Sequence, residues 1–223
     1  MLKDVRELNI LVIGANGPLG RLVIQFILEV GDHRAVALLQ NNAQAAYFNE
    51  KGIENFIYSP KESIEFFLEK IRNVDAIVIA DHNLHDIIPD AIIEIDETVN
   101  LLETLKYSKL KRVVHISTFE TRKEEWMHLP VYFRQIMIKN YYVDQWIRMS
   151  SLDYTIIHPG NLNDKKGTGF VKIVASNVRQ GNISREDVAK IVLACLENQS
   201  TIRKEFKIVT GKDPIAEAIN SVF

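Results

Sequence analysis

The chain has 223 residues, 47% of them hydrophobic and 25% charged, with 27 Lys+Arg against 29 Asp+Glu and a formal net charge of −2. A chain of this length buries about 70% of the surface its unfolded form exposes, so one core needs no disulfide or metal. The balanced charge leaves no basic field for nucleic acid. The lone Cys195 excludes an internal disulfide and a cysteine-based zinc site and fits a reducing, cytoplasmic setting, while no uncharged apolar run is long enough to cross a membrane.

Short apolar runs of β type alternate with longer amphipathic stretches, the pattern of a parallel sheet wrapped by crossover helices. The first run, Asn9 to Ile13, is apolar without alternation, as expected of a strand covered on both faces. Further runs follow at Val36 to Leu39, Ile53 to Tyr58, Ala76 to Ala80, Val113 to Ile116 and Tyr154 to His158. Between them, Leu19 to Val30, Ala43 to Lys51, Ile64 to Ile71 and Ile88 to Lys106 carry apolar residues at helical spacing. A further helix is expected over Tyr132 to Met149, with Ile136, Val143, Trp146 and Ile147 turned inward. The reading is an α/β, Rossmann-type doubly wound parallel sheet with helices on both faces.

The last third is less regular. Asn161 to Gly169 reads as a loop whose glycines suit either a lid or a static turn. Ser184 is placed to cap a helix running to about Asn198, with Glu186 and Asp187 in its first turn. Phe206 to Val209 reads as a late strand, and Pro214 as the start of a final helix that reaches the terminus. No repeat or linker divides the chain, so residues 1–223 are expected to form one domain, with a small C-terminal extension and the substrate-side elements mainly in 159–223.

The strongest chemical signal is Gly14-Ala15-Asn16-Gly17-Pro18-Leu19-Gly20, between the first strand and the first helix. Such spacing gives a tight turn, a close approach of diphosphate to backbone and a helix lying near the sheet, with the positive helix end toward the phosphates. Pro18 suits a first helical turn but removes one N–H. A dinucleotide is the expected ligand. The second strand ends at Gln40-Asn41-Asn42, with neither an acid for a ribose 2′-hydroxyl nor an Arg for a 2′-phosphate. NAD and NADP therefore both stay open.

Together with the glycine turn, the runs Leu152 to Gly160, Gly167-Thr168-Gly169, Ile183 to Ala189 and Pro214 to Ala218 resemble the atypical short-chain dehydrogenase/reductase proteins of the NAD(P)-binding, NmrA-like type. The resemblance covers nearly the whole chain and is nearest to small bacterial members carried under the name of sugar epimerases. It implies an NAD(P) site with Ala80, Asp81, Ser117, Pro159 and Gly160 also near the cofactor, and a small-molecule substrate over the nicotinamide. In active members a Ser after the fifth strand, matched by Ser117, works with a Tyr and a Lys four residues later. Here those positions hold Ile136 and Asn140, or Gln135 and Lys139 after a one-residue slip. His158 stands where relatives commonly carry Arg.

Ser117, at the carboxyl end of a parallel strand, is the candidate to orient a substrate oxygen. Tyr132 and Tyr141 are the candidates for the missing proton donor. Asp81, His82, His85 and Asp86 read as a solvated helix entrance rather than a metal site. Trp126 and Trp146 read as packing anchors. Two functional classes remain: an NAD(P)-dependent oxidoreductase or epimerase, and a dinucleotide-binding sensor that has lost the chemistry. Apolar helix faces are compatible with a homodimer as well as with core.

Overall fold

In the computed structural model, which describes residues 7–59, 62–80, 91–119, 123–126, 128–174 and 181–222, every expected strand forms. They are β1 (Leu8–Ile13), β2 (His33–Leu39), β3 (Glu54–Ile57), β4 (Ala76–Ile79), β5 (Arg112–Ile116) and β6 (Asp153–Pro159). The crossovers are α1 (Pro18–Val30), α2 (Asn42–Glu50), α3 (Ile64–Lys70), α4 (Ala91–Thr104), the short α5 (Lys123–Trp126) and α6 (Val131–Met149). After β6, β7 (Asn161–Asn163), β8 (Phe170–Val174) and β9 (Asn182–Ser184) precede α7 (Arg185–Glu197), and β10 (Lys204–Thr210) comes after it. The two-residue β11 (Asp213–Pro214) leads into α8 (Ile215–Asn220).

The main sheet has nine strands in the order β11-β8-β10-β6-β5-β4-β1-β2-β3, and β7 with β9 forms a separate parallel pair. The sheet is larger than six strands because the last third contributes an edge. β10 pairs in parallel with β6, and β8 runs antiparallel to β10. Three-residue β7 and β9, each built around asparagine, carry too little apolar pattern to be read as strands, so part of the expected 161–169 loop is β structure. The final helix stops at Asn220, and Pro214 precedes it as N-cap rather than opening it.

Strand residues alternate between two apolar layers, as period-two geometry requires. Ile10 and Val12 join Val23, Ile27, Phe48, Val188 and Val192 on one face, under α1, α2 and α7. Leu11 joins Phe67, Leu102, Val143 and Ile147 on the other, under α3, α4 and α6. Each such side chain contributes roughly 1.5–3 kcal/mol of transfer energy. Of the expected inward positions on α6, Val143 and Ile147 are fully buried and Trp146 packs at the margin. Ile136 stays half-buried.

The strand order reverses beside β1, since β2 lies on one side of it and β4 on the other. Ligands of open α/β sheets bind in the crevice that such a reversal leaves at the carboxyl ends. Here Gly14 follows β1 and Ala80 follows β4, and the Ala80 amide donates to Ile13 O at 3.0 Å.

Candidate dinucleotide-binding site

Gly14 has φ +75°, in the left-handed region that a side chain disfavours. The Gly17 amide closes the turn by donating to Gly14 O at 3.0 Å. Gly17 is the N-cap of α1; it brings no side-chain acceptor, and the first turn carries no acid. No carboxylate in the helix's own first turn neutralises its positive end. A Cβ on Gly20 would fall 2.2 Å from Gly14 O, so only glycine lets α1 lie this close to the turn. Ala15 and Leu19 bury their side chains in the core, while Pro18 is exposed. The result is a backbone cradle that a diphosphate fits.

At the rim, Gln40, Asn41 and Asn42 are exposed. The Gln40 amide donates to Gln44 Oε1, and Asn41 caps α2 by accepting from the Gln44 amide. Across the crevice Ala80 is buried. Asp81, like His82, His85 and Asp86, lies outside the described residues. Among the described residues no group of His, Cys, Asp and Glu could hold a metal ion, and no helix is long and apolar enough to cross a membrane. Pro159 ends β6, and Gly160 donates to Ile208 O at 2.8 Å. A Cβ on Gly160 would meet Gly181 O at 2.3 Å, so this turn is closed by backbone contact.

Deeper at the carboxyl ends of β5 and β6 lies a polar network that sequence reasoning missed. Ser117 Oγ donates to Asp144 Oδ2 at 2.7 Å, and His115 Nε2 lies 3.2 Å from Asp144 Oδ1 without hydrogen-bond alignment. Arg148, one turn further along α6, donates from Nε and Nη2 to both Glu205 oxygens, at 2.7 and 2.5 Å. His158 bridges Thr118 O at 2.6 Å and Glu205 Oε1 at 2.7 Å. Burial pushes the Glu205 carboxyl up, but the hydrogen bonds from Arg148 and His158 outweigh it and bring it down to about 2. Where the resemblance leads one to expect Arg at 158, the cation comes from Arg148 on α6 instead. The signal in the sequence was the spacing of Asn140, Asp144 and Arg148, which puts polar groups on the inward face of an otherwise apolar helix.

The sequence profile of the NAD(P)H-binding family matches residues 14–199. The chain belongs to that family. Over 218 residues it is 29% identical to the uncharacterized sugar epimerase YhfK of Bacillus subtilis, covering 96% of this chain and 100% of that one. It is 28% identical over 228 residues to the UPF0659 protein YMR090W of Saccharomyces cerevisiae, covering 96% and 99%. Among solved structures, a Bacillus halodurans protein provisionally described as an NAD-dependent epimerase/dehydratase superposes with a TM-score of 0.84 at 26% identity, covering 96% of this chain and all of the other. A short-chain dehydrogenase/reductase from Veillonella parvula, solved in complex with NADP, shares the fold at a TM-score of 0.69 and 14% identity, covering 94% and 96%.

In this NAD(P)H-binding protein the expected acid–base positions on α6 are filled by packing and self-capping groups. Asn140 is buried and donates from Nδ2 to Ile136 O at 3.0 Å. Tyr141 sits edge-on to Trp126, with ring centres 5.1 Å apart, and Lys123 Nζ lies 4.6 Å over its face. The Tyr132 side chain lies outside the described residues. Ser117 is fully buried. The 161–169 segment is tied down at its far end, where Thr168 N and Gly169 N donate to Asp187 at 2.9 and 2.8 Å. Asp164 pairs with Arg185 at 2.6 Å. Ser184 caps α7 as expected, accepting from the Asp187 amide at 3.0 Å.

Proposed function

We propose that this NAD(P)H-binding protein is a cytoplasmic oxidoreductase or epimerase that passes hydride to and from a small carbonyl or sugar-like substrate. The observation that carries the reading is the glycine cradle at the crevice between β1 and β4, with an uncapped helix end aimed into it. On this reading the amides of Ala15, Asn16, Leu19 and Gly20 receive the diphosphate, Gly17 shapes the turn by donating to Gly14 O, and Pro18 sets the first helical turn without donating. Gln40 stands at the adenosine ribose, Ala80 on the opposite wall, and Ser117, Pro159 and Gly160 toward the nicotinamide, with the substrate held by elements in 159–223; Asp81, outside the described residues, is a further candidate cofactor contact. The bound nicotinamide supplies the hydride donor or acceptor. Ser117 donates its one hydroxyl proton to Asp144, so toward a substrate it acts as an acceptor, orienting a hydroxyl group. The transferred proton then comes from Tyr132, Tyr141 or water.

One observation favours a second reading, a dinucleotide-responsive sensor without turnover: Ser117 is 0% exposed and Asn140 is closed onto Ile136. Thermal unfolding and turnover assays separate the two. Both readings expect NAD(H) or NADP(H) to raise the melting temperature and Gly17→Val to abolish the rise. The backbone at Gly17, with φ −70° and ψ 162°, is a conformation that valine adopts, and circular dichroism of the variant checks that it folds. The enzyme reading expects oxidation of the reduced cofactor by one of a panel of small aldehydes, ketones and sugars, or interconversion of sugar epimers. Saturable binding with no conversion across the panel selects the sensor, and no melting shift with either nucleotide removes both.

A further inference from the structure

Arg21 follows Gly20 in the first turn of α1, yet its side chain folds back along the glycine turn. Nε donates to Asn16 O at 3.0 Å and Nη2 to Asn16 Oδ1 at 2.7 Å. The guanidinium carbon lies 4.1 Å from the centre of the Tyr47 ring. Asn16 belongs to the turn, and Tyr47 to α2, the helix that follows β2. The charge is thus held in the gap between the turn and the β2–α2 connection, the side on which the adenosine ribose of a dinucleotide lies in this fold. Nη1 has no partner among the described residues, and no carboxylate there pairs with the side chain.

The end of β2 offers nothing comparable. Gln40, Asn41 and Asn42 are uncharged, and Asn41 is committed to capping α2. They also present no acid that would repel a 2′-phosphate. Two hydrogen bonds and a ring stack already fix the Arg21 guanidinium, so little rotamer freedom remains to be lost when an anion arrives.

We propose that Arg21 reads the 2′-phosphate of NADP and makes the site prefer the phosphorylated dinucleotide. The cation missing after β2 is supplied from α1, and a planar fork with free N–H groups matches phosphate oxygens better than an amide does. This proposal rests on the dinucleotide reading of the glycine turn.

Titration calorimetry of the full chain with NADP⁺ and NAD⁺ tests it. Wild-type protein is expected to bind NADP⁺ at least about tenfold more tightly than NAD⁺, with a margin that shrinks as salt is added. Arg21→Met removes most of that margin while NAD⁺ affinity stays within about threefold. Arg21→Gln, which keeps a donor for Asn16 without the charge, does the same and serves if the Met variant does not fold. Adenosine 2′,5′-bisphosphate displaces NAD⁺ better than AMP from wild type, and no better than AMP from the variants. An unchanged NADP⁺ to NAD⁺ ratio in a variant that still binds NAD⁺ overturns the proposal alone, as does an equal loss for both nucleotides, which marks Arg21 as a brace for Asn16. Failure of wild type to bind either nucleotide overturns the dinucleotide reading and this proposal together.

Discussion

Ser117 donates its hydroxyl proton to Asp144 across 2.7 Å, and neither residue touches solvent. The serine at the end of β5 is therefore held by a carboxylate from α6, in a pocket that also contains His115 and, at 3.9 Å, Arg148. This pairing ties the sheet to the helix that would carry the acid–base pair. Asp144→Ala strands a buried hydroxyl and is expected to lower stability by about 2–4 kcal/mol, whereas Asp144→Asn keeps an acceptor and costs about half as much. Urea unfolding monitored by tryptophan fluorescence measures both. Equal midpoints for Asp144→Ala and wild type would show that the pair contributes nothing to the fold.

Glu205 sets an acid limit on stability. Its carboxyl sits at about 2 in the folded chain against an ordinary 4.5, because Arg148 and His158 outweigh the upward push of burial. The unfolded chain binds more protons between these values, so stability rises with pH in that window. The contribution is complete above pH 4.5 and is lost as pH falls toward 2. Glu205→Gln is expected to flatten that acid limb in unfolding free energies measured across the window. A limb as steep as in wild type would assign the acid sensitivity to other carboxylates.

Arg112 is a second structural cation. Nη1 donates to Asp153 O and Thr155 Oγ1, both at 2.9 Å, and Nη2 to Cys195 O at 2.6 Å and Thr201 Oγ1 at 3.0 Å. One guanidinium thus joins β5, β6 and the carboxyl end of α7, where cations are favoured by the helix dipole. Burial draws its pKa down from the usual arginine value. Arg112→Met removes these charge-assisted hydrogen bonds from the junction and is expected to cost about 2–4 kcal/mol, with Arg112→Lys recovering only part. Denaturant midpoints decide it, and a lysine variant as stable as wild type would contradict the need for a planar fork.

Asp187 is expected to govern the order of the Gly167–Gly169 turn. Its carboxylate accepts from Thr168 N, Gly169 N and Ser184 Oγ and is wholly buried. Asp187→Ala releases those amides, and hydrogen exchange at Thr168 and Gly169 should accelerate about tenfold to hundredfold while β1 to β5 keep their protection. Unchanged exchange at these two amides would mean that the remaining ties, the Gly167 amide on Glu186, the Ile215 amide on Gly169 O and the pairing of β8, hold the turn without it.

Much of the architecture is present in the sequence because it is local. Apolar runs such as Asn9 to Ile13 fix strand positions by burial on both faces, and Gly14, Gly17 and Gly20 announce a turn that sterics nearly dictates. The Ser184 cap is likewise a matter of neighbours three residues apart. Tertiary structure decided the rest. The pairing of Ser117 with Asp144, of His158 with Glu205 and of Arg21 with Tyr47 joins residues remote in the chain. β8 gains its place from β10 and β11, strands that come some thirty residues or more later. Periodicity reports which face of an element is buried, but not what stands opposite it. A buried polar group acquires its meaning from its partner, and the partner is chosen by the packing of the whole chain.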